Sequence, residues 1–208
     1  PCWLEVSQHG IRFNLTPLSF AEEFREMRER EGGAWVFTSA TLSSAGRFDL
    51  FKQRLGIGEC VERTWESPFN YWEQGCFYLP QMPPPANNTA VHTHNVIEKV
   101  WPLINAAGGR TFVLCTSLAA VRAAADELQA RLEANGNPYP LFVQGDGPKM
   151  RLIEEFRAHG NAVLVGSMSF WEGVDVKGEA LSLVVIDKIP FAPPNDPVMI
   201  CLLYTSDA

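Results

Sequence analysis

The second half of the chain alternates short apolar runs with longer amphipathic segments, and this alternation restricts the fold more than any other feature. Four short runs rich in apolar and β-branched residues indicate buried strands, at residues 111–115, 141–143, 162–165 and 181–187. Two amphipathic segments between them indicate helices, at residues 118–134 and 149–159. Strands that alternate with helices favour right-handed crossovers and a parallel sheet with helices on both faces. The predicted fold class is therefore α/β.

The first half of the chain predicts a less regular order of elements. Apolar runs next to turn residues predict strands at residues 3–6, 11–15, 34–37 and 76–79, and the strand at 34–37 is expected to be buried. Apolar residues at helical spacing predict helices at residues 17–31, 48–55 and 89–107. Pro102 is expected to kink the last of these helices or to end its regular part.

A change of composition between residues 58 and 71 suggests a domain boundary, with residues 67–70 as an extended connector. We expect residues 1–60 to be the end of one domain and residues 61–200 to be a second, incomplete domain. Residues 201–208 fit no helix or strand that the sheet needs. We interpret them as a non-native tail or the mark of a truncated C-terminus.

Charge and cysteine content restrict the classes of function. A net charge of -7 gives no overall attraction for nucleic acid, so such binding needs a local groove with lysine or arginine. The five cysteines form no CxxC pair and match no zinc or iron–sulfur spacing, and their odd number suits a reducing cytosol. No apolar run has the length of a membrane span, and the first residues lack a basic signal region. We therefore expect a cytoplasmic protein with no metal site in this chain and no membrane partner.

Polar residues follow three of the predicted buried strands, at residues 38–42, 116–117 and 166–175. Ligands of open α/β sheets bind beyond the carboxyl ends of the strands, and free N–H groups at a helix start attract anions. The segment 166–175 holds small residues, one tryptophan and two carboxylates, so we expect the chemistry there. Ser117 opens the predicted 118–134 helix, where its hydroxyl could cap the helix, hold a phosphate, or do both.

Several of these residues also have a purely structural interpretation. Glu172 and Asp175 could form a solvated acidic loop, and Trp171 could either belong to the core or stack on a base. The four histidines show no ligand spacing. His92 and His94 lie two positions apart, so they point to different sides of a helix.

Four segments follow one another in an order that points to a family: Thr38-Ser39-Ala40-Thr41-Leu42, Phe112-Val113-Leu114-Cys115-Thr116-Ser117, Val143-Gln144-Gly145 and Ser169-Phe170-Trp171-Glu172-Gly173-Val174-Asp175. This order resembles superfamily 2 DNA helicases of the XPD/DinG type. Residues 170–181 and 185–191 resemble the bacterial DinG/YoaA-like branch in particular. The resemblance covers about residues 3–198. It implies a RecA-like parallel sheet flanked by helices, preceded by the tail end of another RecA-like domain.

The resemblance also implies an activity and a role for single residues. The implied enzyme binds ATP between two RecA-like domains and moves 5′→3′ along single-stranded or forked DNA. Its nucleotide-facing residues would be Thr38, Ser39, Ala40, Glu172, Gly173 and Asp175, with Glu172 and Asp175 as the catalytic pair. Its strand-binding residues would be Thr116, Ser117, Gln144 and Ser169. Hydroxyls and amides on phosphates suit a motor without sequence preference.

Several parts of such an enzyme do not occur in this sequence. The phosphate-binding GxxxxGK[ST] loop, the acidic box that holds magnesium, the four iron–sulfur cysteines and the arginine-finger motif are all absent. ATP and magnesium would therefore be cofactors of a longer protein, and an iron–sulfur cluster would be possible in its N-terminal part. This chain alone is expected to be inactive.

Two other functions remain as alternatives. The first is a non-catalytic nucleic-acid or protein-interaction module on a RecA-like scaffold, since fold alone does not fix function. The second is a metabolic enzyme that binds a nucleotide, which ranks last because the sequence has no Gly-rich dinucleotide fingerprint.

Overall fold

The computed structural model divides into two compact units, which we describe separately. The described residues of the first unit lie within 2–76 and 196–200, and those of the second within 77–190. Across both units the structure describes residues 2–8, 10–17, 19–84, 88–171, 173–176, 178–190 and 196–200. Residues 201–208, predicted to be a non-native tail, lie outside the described residues.

The first unit contains a hairpin and short helices. Strand β1 pairs antiparallel with β2, from Cys2 opposite Leu15 to Ser7 opposite Gly10. The elements of this unit are β1 (Cys2–Ser7), β2 (Gly10–Leu15), α1 (Ala21–Glu31), α2 (Asp49–Leu55) and α3 (Tyr71–Gln74). Helix α2 ends at Gly56, whose left-handed backbone with φ of 60° suits glycine. The predicted hairpin and both longer helices are confirmed, although α1 starts later than expected.

Residues 34–37 do not form the buried strand that the sequence predicts. Val36 is 84% exposed, while the Trp35 and Phe37 rings stack with centroids 6.3 Å apart and both contact Phe24. A buried strand needs neighbours for its backbone N–H and C=O groups. In the described part of this unit, β1 and β2 pair with each other and no strand lies beside 34–37. These aromatic side chains therefore pack on one another without strand pairing, and Trp35 stays 41% exposed.

The strand predicted at residues 76–79 is also absent. Phe77 is 91% exposed and Leu79 is exposed as well. Strand pairing is not available to them, because no described strand lies beside this segment. A short apolar run without a partner strand stays irregular.

The second unit is built on a parallel sheet whose described strands have the spatial order β4-β5-β3-β6. These strands are β3 (Thr111–Leu114), β4 (Leu141–Val143), β5 (Val163–Gly166) and β6 (Leu183–Ile186). The central strand β3 pairs with β5 and with β6, so that Thr111 lies opposite both Val163 and Leu183. All four strands predicted for this half of the chain are confirmed, with β5 and β6 shifted or shortened at their ends.

Helices cover both faces of this sheet, as the alternation of elements predicts. They are α4 (Thr89–Ala106), α5 (Leu118–Ala134) and α6 (Lys149–His159). Side chains of α4 and α5 form one core with alternate strand residues such as Val113 and Val165. Side chains of α6 form a second core with the intervening residues, such as Phe112 and Leu164. The predicted α/β fold class, a parallel sheet flanked by helices, is thereby confirmed.

Helix α4 continues through Pro102 to Ala106, so of the two expected effects of this proline, a kink or an end of the regular helix, the end is wrong. Proline removes one backbone hydrogen bond from a helix. Val100 and Ile104, on either side of Pro102, are buried in the core formed with α5. Their packing holds the helix together across the missing bond.

Candidate functional site

The carboxyl ends of the parallel strands bring four loops to one edge of the sheet. Cys115, which follows β3, donates its N–H to the Gly166 carbonyl at the end of β5 over 2.8 Å. Asp187, which follows β6, donates its N–H to the Leu114 carbonyl at the end of β3 over 3.1 Å. Gln144, which follows β4, donates its N–H to the Val165 carbonyl of β5 over 2.9 Å. The loops after neighbouring strands are therefore adjacent, and we call this edge the carboxyl edge.

Thr116 and Ser117 form the start of α5 at the carboxyl edge. The Ser117 hydroxyl oxygen accepts the N–H of Ala120 over 3.2 Å, so the residue caps the helix. Thr116 is half-buried and Ser117 is exposed. A capping hydroxyl accepts one hydrogen bond and still has its own proton to donate. Capping by Ser117 is therefore compatible with the predicted phosphate contact.

Gln144 contacts the loop that follows β5. Its side-chain oxygen accepts the backbone N–H of Ser167 over 2.6 Å. Because the partner is a donor, this bond fixes which end of the amide is the oxygen. The NH2 group of Gln144 is left with its donors for other contacts. Two of the predicted strand-binding segments are thus joined by a direct hydrogen bond.

Residues 167–171, which we call the 167–171 turn, carry Ser169 to the surface. Phe170 donates its N–H to the Ser167 carbonyl over 2.8 Å, and Trp171 donates its N–H to the Met168 carbonyl over 3.1 Å. Ser169 is exposed, whereas Phe170 is only 3% exposed. The turn is therefore anchored by Phe170 while it presents Ser169 to solvent.

Trp171 is half-buried against the core that α6 forms with the sheet. This position agrees with the interpretation of Trp171 as a core residue. Its indole N–H is buried, however, and no described residue accepts a hydrogen bond from it. An unpaired buried donor is costly, so a further partner for this group is to be expected.

Gly173 and Asp175 follow the turn, and Glu172 lies outside the described residues. Gly173 has a φ of 66°, a backbone conformation that favours glycine. Val174 and Val176 pack against the α6 core, while Asp175 between them is exposed. The segment therefore alternates inward apolar and outward polar residues, which places the Asp175 carboxylate at the surface.

Thr38, Ser39 and Ala40 belong to the first unit, where all three are exposed. The Ser39 hydroxyl oxygen accepts the N–H of Thr41 over 3.1 Å and lies 3.1 Å from the Thr41 hydroxyl. These bonds are local to the turn. The second unit, by contrast, brings Thr116, Ser117, Gln144 and Ser169 to its carboxyl edge.

Asp187 is a residue of the carboxyl edge to which sequence reasoning gave no role. Both of its carboxylate oxygens are buried and have no hydrogen-bond partner among the described residues. Burial raises the pKa of Asp187, while the backbone N–H and charge of Lys188, the charge of His92 and the Thr116 N–H oppose the shift. These two N–H groups face the carboxylate without reaching hydrogen-bond geometry. The residue follows an apolar strand, as Thr116 and Gln144 do, so its position alone could have identified it.

Two buried groups surround Asp187. The Nε2 atom of His92 on α4 lies 3.2 Å from the Asp187 carbonyl oxygen, so Nε2 carries a proton and donates it. Cys115 is buried, and burial together with the nearby Asp187 charge raises the pKa of its thiol to about 12. The thiol is therefore neutral at physiological pH and is not a nucleophile.

The raised pKa of Asp187 predicts a pH-dependent stability. The folded chain binds its proton more tightly than the unfolded chain, so the free energy of unfolding falls as the pH rises through the raised value. Replacing Asp187 with asparagine removes the buried charge. We expect Asp187→Asn to be more stable than the wild type by about 1 kcal/mol at pH 7. Urea unfolding between pH 4 and pH 8 measures this.

The difference in the free energy of unfolding between Asp187→Asn and the wild type should shrink toward zero as the pH approaches about 4. This pH is in the ordinary pKa range of an aspartate carboxyl. An Asp187→Asn advantage that stays constant over this range would contradict a buried, ionised Asp187. Asp126→Asn, at an exposed carboxylate of α5, is the matched control and should change the free energy of unfolding by less than about 0.5 kcal/mol.

A surface depression of about 450 Å³ lies at the opposite edge of the sheet. It is lined by residues at the start of β4 and the ends of α5 and α6, among them Leu132, Tyr139, Leu141 and His159. None of the candidate site residues lines it. The depression is therefore separate from the carboxyl edge.

The described residues contain neither a membrane-spanning helix nor a metal-binding group. No helix there is long and apolar enough to cross a membrane. In the same residues, no three His, Cys, Asp or Glu side chains are grouped so that they could hold a metal ion.

Comparison with known proteins gives the family of the chain. Residues 100–205 match the model of a family described as a helicase C-terminal domain. Over 95% of its length the chain is 40% identical to the ATP-dependent DNA helicase YoaA of Haemophilus influenzae and 39% identical to YoaA of Escherichia coli. Over 79% of its length it is 37% identical to the ATP-dependent helicase DinG of Mycobacterium tuberculosis.

The chain spans 30% of the length of each YoaA and 24% of the length of DinG. The shared part contains the sheet, the helices on both of its faces and the loops of the carboxyl edge. The family match and the identities above 30% agree with the resemblance seen in the sequence. The chain belongs to the helicase C-terminal domain family, in its DinG/YoaA-like branch.

Proposed function

We propose that the chain is the C-terminal motor portion of an ATP-dependent helicase that moves 5′→3′ along single-stranded DNA. The relatives named above are ATP-dependent helicases, and the YoaA proteins are named as DNA helicases. One structural observation supports the proposal most. Hydroxyls and amides of Thr116, Ser117, Gln144 and Ser169 share the carboxyl edge of one sheet. Such groups suit the phosphates of a strand that is not read by sequence.

In the proposed motor, the Thr116 and Ser117 hydroxyls donate to one phosphate of the strand. The Gln144 NH2 group and the Ser169 hydroxyl lie on the neighbouring loops and bind the same backbone. The helix start at Ser117 adds free N–H groups and a partial positive charge. The second unit thereby binds the strand at its carboxyl edge.

The nucleotide-facing residues of the proposal are Thr38, Ser39 and Ala40 in the first unit and Glu172, Gly173 and Asp175 in the second. Glu172 and Asp175 are the proposed catalytic pair. ATP supplies the free energy for domain closure, which moves the strand. The sequence lacks the acidic box that holds magnesium in such enzymes, so the magnesium of ATP is proposed to be held by another part of the longer protein.

The proposal extends to the organisation of the whole protein. The end of the first RecA-like domain is proposed at residues 1–60 and the second at 61–200, while the structure divides its two compact units near residue 76. An iron–sulfur cluster, if the longer protein has one, belongs to its N-terminal part. We propose a cytoplasmic protein that acts on single-stranded or forked DNA, and a chain that neither hydrolyses ATP nor unwinds DNA alone.

The strand contact predicts an effect of the hydroxyls at the start of α5. We expect Thr116→Ala with Ser117→Ala to weaken binding of a single-stranded dT20 oligonucleotide at least 10-fold, since one hydrogen bond to a charged group contributes about 1.5–3 kcal/mol. The dependence of the affinity on salt should also become shallower, since the phosphate is no longer seated. Fluorescence anisotropy from 50 to 300 mM salt measures both.

Two further variants separate strand contact from helix stability. Ser117→Asn retains a capping side chain but lacks the hydroxyl, so it should reproduce part of the loss. Ser182→Ala makes a similar change at the opposite edge of the sheet, where Ser182 donates its N–H to Arg110, and should bind as the wild type does. Equal affinity and an equal salt slope for the double variant and the wild type would refute the phosphate contact.

A further inference from the structure

Helix α6 begins with a lysine, although the start of a helix disfavours positive charge. Lys149 is the first residue of α6, and the first turn of the helix contains no acidic residue. The helix dipole makes a cation at this end unfavourable. The helix itself therefore gives no reason for a lysine here, and the reason has to be found in what its ammonium group contacts.

The ammonium group of Lys149 lies against the 167–171 turn and its continuation. Its Nζ atom donates to the carbonyl oxygen of Ser169. The same atom lies 5.6 Å from the centroid of the Phe170 ring, within the range of a cation–π contact. A Cβ atom on Gly173 would lie 3.9 Å from it. One side chain thus contacts Ser169 and Phe170 and lies near Gly173, in the segment that carries the proposed catalytic carboxylates.

The Phe170 ring also packs on the end of β5. A Cβ atom on Gly166 would lie 2.7 Å from two atoms of this ring, so the ring packs directly on the glycine backbone. Phe170 is buried, and its ring contacts both the Gly166 backbone and the Lys149 ammonium group. The Gln144 oxygen holds Ser167 at the start of the same turn. The turn is therefore fixed at both ends, by Gln144 and by Lys149.

We propose that Lys149 is a positioning residue for strand binding, which fixes the 167–171 turn to the start of α6 and places one positive charge beside Ser169. This inference rests on the proposed function. It explains how a chain with a net charge of -7 obtains local positive charge at its carboxyl edge. A phosphate that reaches Ser169 comes close to this ammonium group and is attracted to it.

The first test needs no nucleic acid. Lys149→Met retains most of the alkyl stem and removes the ammonium group, while Lys149→Arg retains the charge and the ring contact. In the 208-residue chain we expect amide hydrogen exchange at Phe170 and Trp171 to become at least about 10-fold faster in Lys149→Met. Exchange in β5 should stay the same. Lys149→Arg should restore the protection of the turn.

The second test measures whether the charge of Lys149 contributes to strand binding. The salt slope of dT20 binding should become shallower by about 0.7 in Lys149→Met, the value for one ionic contact with a single strand, and Lys149→Arg should recover it. Lys99→Met, at an exposed lysine of α4, is the matched control and should change neither exchange nor slope.

The outcomes distinguish this inference from the proposed function. A wild type that binds dT20, together with unchanged exchange and an unchanged slope in Lys149→Met, overturns the inference and leaves the proposed function intact. Faster exchange of the turn in a chain whose wild type binds no strand supports the fixing of the turn and overturns the proposed function. Faster exchange with an unchanged slope overturns the part of the inference that concerns charge.

Discussion

Replacing Asp175 with asparagine should lower DNA-stimulated ATP hydrolysis about 100-fold in a protein that carries this chain and has the length of its relatives, as expected when one preorganised charge is lost from a transition state. The substitution removes the charge and keeps the volume of the side chain. Asp175 is exposed between two valines that pack inward, so the core is not disturbed. A coupled ATPase assay with saturating single-stranded DNA measures the turnover.

Glu172→Gln is the parallel variant for the other proposed catalytic carboxylate and should give a loss of similar size. Glu179→Gln is the matched control, because Glu179 is an exposed carboxylate that follows in the same region of the chain and has no proposed role. If both Asp175→Asn and Glu172→Gln turn over ATP at the wild-type rate, the catalytic assignment is wrong. An unchanged circular dichroism spectrum checks that the fold persists in each variant.

Replacing Phe156 with alanine should lower the free energy of unfolding of the second unit by about 4 kcal/mol. Phe156 on α6 is completely buried, and its ring meets the Phe112 ring edge-on with centroids 4.7 Å apart. Truncation removes the contact between α6 and the central strand and leaves a cavity between rigid elements. Urea unfolding of the 208-residue chain measures the loss. Amide hydrogen exchange in β3 and β5 measures it a second time at the sheet itself.

The exposed Phe77 supplies the control for this prediction. Phe77→Ala makes the same chemical change at a side chain that is 91% exposed, so it should alter the free energy of unfolding by less than about 0.5 kcal/mol. Similar effects of the two substitutions would show that the α6 core does not stabilise the unit as its burial implies.

The sheet of the second unit could be predicted from sequence because its pattern is local and repeated. Each strand is a short apolar run, each helix has helical spacing, and β-α-β crossovers have one hand. The placement of Thr116, Gln144 and Ser167 at one edge follows from the same rule, since all four strands are parallel. The roles of Thr116, Gln144 and Ser169 in strand binding remain predictions.

Contacts between residues distant in sequence could not be predicted in this way. Residues 34–37 have the composition of a strand, but a strand forms only where another lies beside it, and sequence pattern does not reveal its neighbours. The packing of Lys149 on Phe170 and the bond of His92 to Asp187 depend on three-dimensional placement of α6 and α4. The spacing of apolar residues in the sequence gives no signal for either contact.

The spatial order of the strands also determines when the sheet can assemble on the ribosome. The central strand β3 is made first, yet it does not pair with β4, which is made next. Its first neighbour exists only after residues 163–166 have emerged, and its second is complete only at Ile186. Pairing across such sequence distances is slow, and an unpaired apolar strand invites aggregation meanwhile. A nascent chain that stalls before β5 therefore exposes the side chains of β3 that the finished sheet buries.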